Sequence, residues 1–345
     1  MGGGSGLVEA EIRRALQIGC EIRYDTAATR LIQDENKKIT GLEISSPDGI
    51  ETINARSIVL ACGGFESNPE MRARYLGPGW DLARVRGTKH NMGDGIKMAI
   101  DVGARAYGNW SGCHSVGWDI SAPEYGDYEV LDNFQKHSYP WGIMVNTDGN
   151  RFVDEGEDLR NHTYVKFGRE IMKQPNRTAI QIFDQKTIPL LRDEYRIRQV
   201  TKVSGNSIAE LAQELEINVS ALTKTIDEFN AACKPGNFNP SILDGVATTG
   251  LNPNKTNWAL PIDEPPFEAF ITTTGVTFTF GGLKVDDKGS VLDNNDRSIS
   301  GLFAAGELVG GLFYENYPGG SGLMAGAVYG KIAGENAASH AVGNS

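Results

Sequence analysis

Residues 301–334, GLFAAGELVGGLFYENYPGGSGLMAGAVYGKIAG, constrain the fold more than any other stretch, because they set a short apolar strand, a stop and a glycine-rich helix start into one unit. Leu302-Phe303-Ala304-Ala305 predicts a buried strand. Gly306-Glu307 ends it with a carboxylate placed to accept from a ribose or ribityl hydroxyl. Pro318, Gly319, Gly320, Ser321 and Gly322 then open a helix predicted from Leu323 to about Ala338. The first N–H groups of such a helix lack intrahelical partners, and its dipole favours an anionic ring edge or phosphate. Glycines omit Cβ atoms and let a flat ligand approach the backbone. A single glycine pair marks no more than a loop before a surface helix. The ordered set of strand, Gly-Glu, YPGGSG and helix marks a cofactor site.

The rest of the chain reads as an α/β protein with an inserted segment. Leu7, Ile12, Ala15 and Leu16 share one face of a helix over 7–19, and Cys20–Tyr24 predicts a strand after it. Period-two patterning at 29–32, 39–44 and 51–55, with a Pro47-Asp48-Gly49 turn, predicts a strand meander. Ser57–Cys62 is wholly apolar apart from its first residue and ends in Gly63-Gly64, the pattern of a parallel-sheet strand running toward a ligand. Gly93-Asp94-Gly95 starts a helix reaching about Val102. From residue 112 the character changes to aromatic, polar and proline-bearing loops, with helices expected near 184–196, 206–214 and 219–232. Period-two patterning resumes at 267–272 and 283–285, with a turn at 294–296. The expected division is a first part of the nucleotide domain at 1–111, an inserted α+β cap at 112–266, and the return to the first domain at 267–345.

The 345 residues suffice for two domains, and a net charge of −11 argues against nucleic acid and anionic membrane surfaces. No apolar run reaches the roughly 20 residues needed to span a bilayer, and Met1 is followed by glycines instead of a basic and then apolar leader. The four cysteines, Cys20, Cys62, Cys113 and Cys233, have no C-x-x-C spacing, so neither a metal site nor a disulfide framework is expected. Reduced thiols and a cytoplasmic location are the expectation.

The 301–334 block resembles the C-terminal flavin-binding segment of the fumarate reductase and succinate dehydrogenase flavoprotein superfamily, and within it the tricarballylate dehydrogenases. The likeness extends to GGGSGLVEA at 2–10, SIVLACGGFESN at 57–68, MGDGIKMA at 92–99, WSGCHS at 110–115, GIMVNTDGNRFVDEGEDLRNHTY at 142–164 and TGVTFTFGGLKVD at 274–286. It implies FAD as cofactor, a Rossmann-like FAD-binding domain with an inserted cap, and a small polycarboxylate substrate. It also implies electron exchange with a separate iron–sulfur or quinone-linked partner. Members begin with a strand, a G-x-G-x-x-G turn and a helix that hold the pyrophosphate. Nothing in this sequence fills that role, so the chain reads as N-terminally truncated, with FAD held weakly.

The resemblance assigns roles residue by residue. Arg160, following Arg151-Phe152 in RFVDEGEDLR, is the expected proton-transfer residue, with one extra residue relative to the fumarate reductases. An arginine ordinarily stays charged up to about pH 12, so this role requires a crowded cationic pocket that destabilises its charge; the alternative is an arginine paired with Glu157 or Asp158. His114 matches a substrate-carboxylate histidine. Tyr317 stands where fumarate enzymes carry a carboxylate-gripping arginine, and Phe278 replaces a histidine, so fumarate and succinate are disfavoured; Thr279 lies beside Phe278. For FAD, Gly63 and Gly64 approach the dinucleotide, with Asp94, Glu307, Gly319, Gly320, Ser321, Gly322 and Leu323 completing the contacts; Asp94 reads equally as a helix N-cap. The expected reaction is dehydrogenation of tricarballylate to cis-aconitate. Alternatives are a fumarate reductase-like enzyme, a 3-ketosteroid Δ1-dehydrogenase-like enzyme suggested by Tyr317-Pro318-Gly319, and a fragment without activity.

Overall fold

The structure, a computed structural model, describes residues 3–343. Helix α1 (Gly3–Gln17) buries none of its residues, and Leu7, Val8 and Leu16 lie at the surface. Cys20–Tyr24, expected as a strand, is irregular. Among the described residues it pairs with no strand, and Asp25 turns the chain with a φ of 50° before pairing begins. Strands β1 (Ala27–Gln33), β2 (Ile39–Ser46) and β3 (Gly49–Asn54) form the predicted antiparallel meander.

Strand β4 (Ile58–Leu60) follows, then β5 (Arg84–Val85), helix α2 (Asp94–Asp101) and the long strand β6 (Ala106–Asp119). The boundary drawn at 111 falls inside β6. Next come β7 (Ile143–Asn146), α3 (Arg160–Met172), β8 (Ala179–Phe183) and β9 (Lys202–Gly205). The helix expected at 184–196 is instead two single 3-10 turns, Ile188–Leu190 and Asp193–Tyr195. Pro189 removes a donor and Arg192 is extended, so no α-helix propagates. Helices α4 (Ile208–Glu214) and α5 (Val219–Ala232) match their expectation.

Strand β10 (Phe267–Leu283) ties the molecule together over 17 residues. Its first part lies between β8 and β9, and its second part pairs antiparallel with β6 from Thr272 to Leu283 and parallel with β5 at Gly275 and Val276. Strands β11 (Ser290–Leu292) and β12 (Ser298–Ala304) and helix α6 (Ser321–Val342) complete the chain. β12 runs parallel to β4, Leu302–Ala304 against Ile58–Leu60. The parallel pairing brings the two strand ends to one level, with Ala305 N donating to Leu60 O at 2.9 Å. The Gly63-Gly64 turn and Gly306-Glu307 therefore emerge side by side, at the carboxyl ends of parallel strands where α/β sheets bind ligands.

The core is divided. One apolar cluster joins Ile58, Phe65, Ile96, Val276, Leu302 and Leu308, while others, built on Ile180, Leu211, Phe229 and Ala269 or on Trp118, Tyr139, Val165 and Phe167, lie between residues 116 and 271.

Candidate active site

The glycines after β4 make one wall. Gly63 has a φ of 73°, open to few residues other than glycine, and a Cβ there would stand 2.7 Å from the Asn91 amide. A Cβ on Gly64 would collide with Glu307 Oε1 and Thr279 Oγ1. Glu307 Oε1 accepts from Thr279 N at 2.6 Å and from Thr279 Oγ1 at 3.0 Å, and Phe65 N donates to Thr279 Oγ1 at 3.2 Å. Thr279, expected on the substrate side, thus anchors the expected cofactor carboxylate.

Glu66 was not foreseen. It is buried, accepts from Asn91 Nδ2 through Oε1, and leaves Oε2 with no partner among the described residues. Burial, then the neighbouring Glu66 carboxylate, pushes Glu307 well above the usual carboxylate range, and burial raises Glu66 too. Like charges in a shared dry space favour retention of a proton. A cradle lined by backbone and closed by two neighbouring buried carboxyls fits the polar, hydroxyl-bearing part of FAD.

Helix α6 starts at Gly320, its N-cap with φ 85°. Gly322 N donates to Tyr317 Oη at 2.8 Å, and a Cβ on Gly322 would collide with that hydroxyl and stand 3.1 Å from the Phe278 ring. Tyr317 therefore takes one of the N–H groups expected to be free. Ser321 Oγ donates to Pro318 O, Gly319 and Gly320 are exposed, and Leu323 is 63% exposed. Asp94 opens α2, but the N-cap is Gly93, whose N donates to Gly64 O at 3.0 Å. The Asp94 side chain is exposed, 3.9 Å from Lys97.

On the other side of Tyr317 the expected catalytic and substrate residues fall on one line of contacts. His114, on β6, approaches the Tyr317 ring to 4.4 Å between centroids, and its Nε2 is 3.2 Å from Tyr164 Oη. Tyr164 Oη donates to Tyr317 O at 3.2 Å. His114 Nε2 then donates to Tyr164 Oη, which leaves Nδ1, buried and unpartnered, as a lone pair. Tyr164 also packs on His137, ring centroids 5.2 Å apart, and Arg160 Nη1 reaches His137 Nδ1 at 3.2 Å. Arg160 is the first residue of α3, which sets its side chain against His137. Neither Glu157 nor Asp158 pairs with it: Glu157 binds Lys166 and Asp158 faces His162. Burial, then the charge of Arg86, lowers His114 to about 3 and His137 well below the usual histidine range. Both rings are neutral at physiological pH. Phe278 and Phe313 pack at a tilt against Tyr317, ring centroids 5.5 and 4.8 Å away.

His137 and Tyr164 were missed by sequence reasoning. Tyr164 closes the 142–164 motif without a chemical signature of its own, and His137 lies in a loop with no periodic signal.

A model of the FAD binding domain family matches residues 1–323. The probable fumarate reductase Ifc3 of Shewanella frigidimarina is 29% identical over 344 residues, spanning 98% of this chain and 54% of that protein. The open conformation of a flavocytochrome c3 fumarate reductase superposes with a TM-score of 0.76 at 26% identity, covering 99% of this chain and 57% of that one. The 3-ketosteroid delta1-dehydrogenase of Sterolibacterium denitrificans, in complex with 1,4-androstadiene-3,17-dione, gives 0.72 at 25% identity over 94% and 61% of the two chains. The chain thus spans little more than half of these relatives. With its glycine cradle and carboxyl pair at the ends of β4 and β12, and a family model matched over nearly its whole length, the chain belongs to the FAD binding domain family.

Proposed function

We propose that this chain serves a flavoenzyme that forms a carbon–carbon double bond in a small polycarboxylate, tricarballylate to cis-aconitate being the preferred reaction. The observation that carries the reading is the line Arg160–His137–Tyr164–His114–Tyr317, which unites the expected proton carrier and the expected carboxylate ligand beside the start of α6.

When bound, FAD supplies the acceptor for a hydride from one of two adjacent substrate carbons. Gly63, Gly64, Glu307 and the 319–323 loop are its proposed contacts, with Asp94 near the turn and Glu66 added. Arg160, in its uncharged guanidine form, takes the proton from the neighbouring carbon and becomes the guanidinium. Its partner His137 is neutral and accepts from Nη1, so it orients the guanidinium without supplying a counter-charge. His114 holds a substrate carboxylate, and Tyr317 and Phe278 shape the apolar side of the pocket. Separate cores on either side of β10 support the reading of 112–266 as a cap over a nucleotide domain formed by 1–111 and 267–345. Electron exchange with an iron–sulfur or quinone-linked partner belongs to the same proposal, as does a cytoplasmic setting; no helix among the described residues is long and apolar enough to cross a membrane.

A 3-ketosteroid substrate is the second reading, favoured by the aromatic group Phe278, Phe313 and Tyr317 and by the steroid-bound relative. Anaerobic mixing of the flavin-loaded protein with each acid or steroid separates the two. The first reading expects tricarballylate to bleach the flavin faster than succinate does, with no bleaching by a 3-ketosteroid; the reverse order would replace it with the second.

A further inference from the structure

The site just proposed leaves Arg86 unused, a cation with most of its side chain covered. Arg86 follows β5, and its N donates to Val276 O of β10 at 2.8 Å. Its guanidinium lies 5.3 Å above the Trp118 ring, with the side chain only 11% exposed. One edge is engaged: Nε and Nη2 donate to Asp132 Oδ1 at 2.9 and 2.6 Å. Nη1, on the other side, is buried with no partner among the described residues.

Two more orphaned groups belong to the same neighbourhood. In the β10–β6 ladder Val276 pairs with Ser115 and Phe278 with His114, so Thr277 is the bulged residue between Arg86's anchor and His114. Its Oγ1 is buried and unpartnered. His137 Nδ1 accepts from Arg160, which puts the ring proton on Nε2, also buried and unpartnered. After burial, the charge on Arg86 is the largest influence lowering both His114 and His137, ahead of Arg160 at His137. An influence of that order falls off with distance and requires proximity. Unpaired buried donors of this kind are rare in folded proteins and call for an acceptor. Asp132, half exposed on the outer edge, holds the guanidinium in place and offsets part of its charge, which suits a singly charged carboxylate better than a dianionic phosphate.

We propose that Arg86 Nη1, Thr277 Oγ1 and His137 Nε2 form a second carboxylate subsite, which holds the additional carboxylate of a tricarboxylate and sets its preference over dicarboxylates. This rests on the polycarboxylate reading above and names the determinant within it. Arg86, just past the end of β5, would replace the positive charge that Tyr317 and Phe278 do not provide.

The test is calorimetric titration of the FAD-saturated chain with tricarballylate and with succinate, for the parent and Arg86→Gln. The parent should bind tricarballylate about 10- to 100-fold more tightly than succinate, the range of a charge-assisted hydrogen bond. Arg86→Gln should bring the two acids to within about threefold while succinate affinity stays nearly constant. A preference left intact in Arg86→Gln overturns the subsite and leaves the polycarboxylate reading standing. A parent that binds neither acid overturns both. Should Arg86→Gln fail to fold, as judged by its circular dichroism, Thr277→Val carries the same comparison. A several-fold fall in preference then supports the subsite, and an unchanged one rejects it.

Discussion

His114 shows what one buried ring demands of its surroundings. Its folded pKa of about 3 lies below the 6.5 of an ordinary histidine, so between those values the unfolded chain binds a proton that the folded chain does not. Stability therefore rises with pH across the window from about 3 to 6.5 and is lost as pH falls through it, with a slope of at most about 1.4 kcal/mol per pH unit for one group. Glu307, raised by burial and by Glu66, has the opposite sign: its contribution is present below 4.5 and is lost as pH rises. His114→Gln isolates the first effect. Urea midpoints at pH 7 and pH 4.5 should differ less in the variant than in the parent; equal differences would mean that His114 is not held neutral. The same geometry bears on ligand binding. The free Nδ1 lone pair of a neutral ring meets a carboxylate only by taking up a proton, so tricarballylate affinity should rise as pH falls from 8 to 6. Titration heats should also change with the ionisation enthalpy of the buffer. Binding with no proton uptake would remove His114 from contact with the acid.

At the scale of elements, legibility followed periodicity. The meander and the β4 and β12 strands carried period-two or wholly apolar patterns, α2 and α6 were announced by glycine-rich starts, and these elements, with α4 and α5, formed where expected. Helix α3 carried none: its N-cap is Leu159, which makes no side-chain cap, and it buries Thr163, Tyr164, Val165, Phe167, Gly168 and Ile171 in place of an aliphatic stripe. The tertiary contact decides it. Gly168 packs on the Ser115 backbone so closely that a Cβ would collide with it, and Thr274 Oγ1 donates to Gly168 O at 2.7 Å. The catalytic candidate Arg160 was thus legible as a motif, while the helix that positions it was not. Likewise Glu307 and Gly64 were readable, but Glu66, Arg86 and His137 acquire their meaning only from neighbours distant in sequence. The loops between elements rely on buried polar anchors. Lys136 and Asp119, both fully buried, lie 3.4 Å apart, and Asp119 also accepts from Thr201 N and Oγ1 at 3.0 and 2.6 Å. Asp119→Asn leaves the ammonium unbalanced and should cost about 3–5 kcal/mol of stability, measured by chemical denaturation. A loss below about 1 kcal/mol would show that the pair is not what holds the 119–136 loop to the sheet.

For the whole molecule, the long strand β10 runs past each group of proposed contacts. Thr279 anchors Glu307, Phe278 borders Tyr317, and Thr277 lies next to Arg86's anchor, so three successive residues touch the proposed cofactor cradle, the proposed substrate pocket and the proposed added subsite. Gly64→Ala tests the cradle end of this arrangement. The added methyl must displace both Glu307 and Thr279, an overpacking of about 1–3 kcal/mol, and FAD affinity followed by quenching of flavin fluorescence should fall about 5- to 100-fold; unchanged affinity would place FAD elsewhere. The central claim is that Arg160 moves the substrate proton. Arg160→Lys keeps a positive charge but loses the planar guanidinium fork that reaches His137. Single-turnover bleaching of bound flavin by tricarballylate reads that step without an external electron acceptor. The account predicts a fall in the bleaching rate of about 100- to 10,000-fold, the contribution of a positioned acid or base, with tricarballylate affinity changed far less. A lysine variant that bleaches within a few-fold of the parent would contradict it.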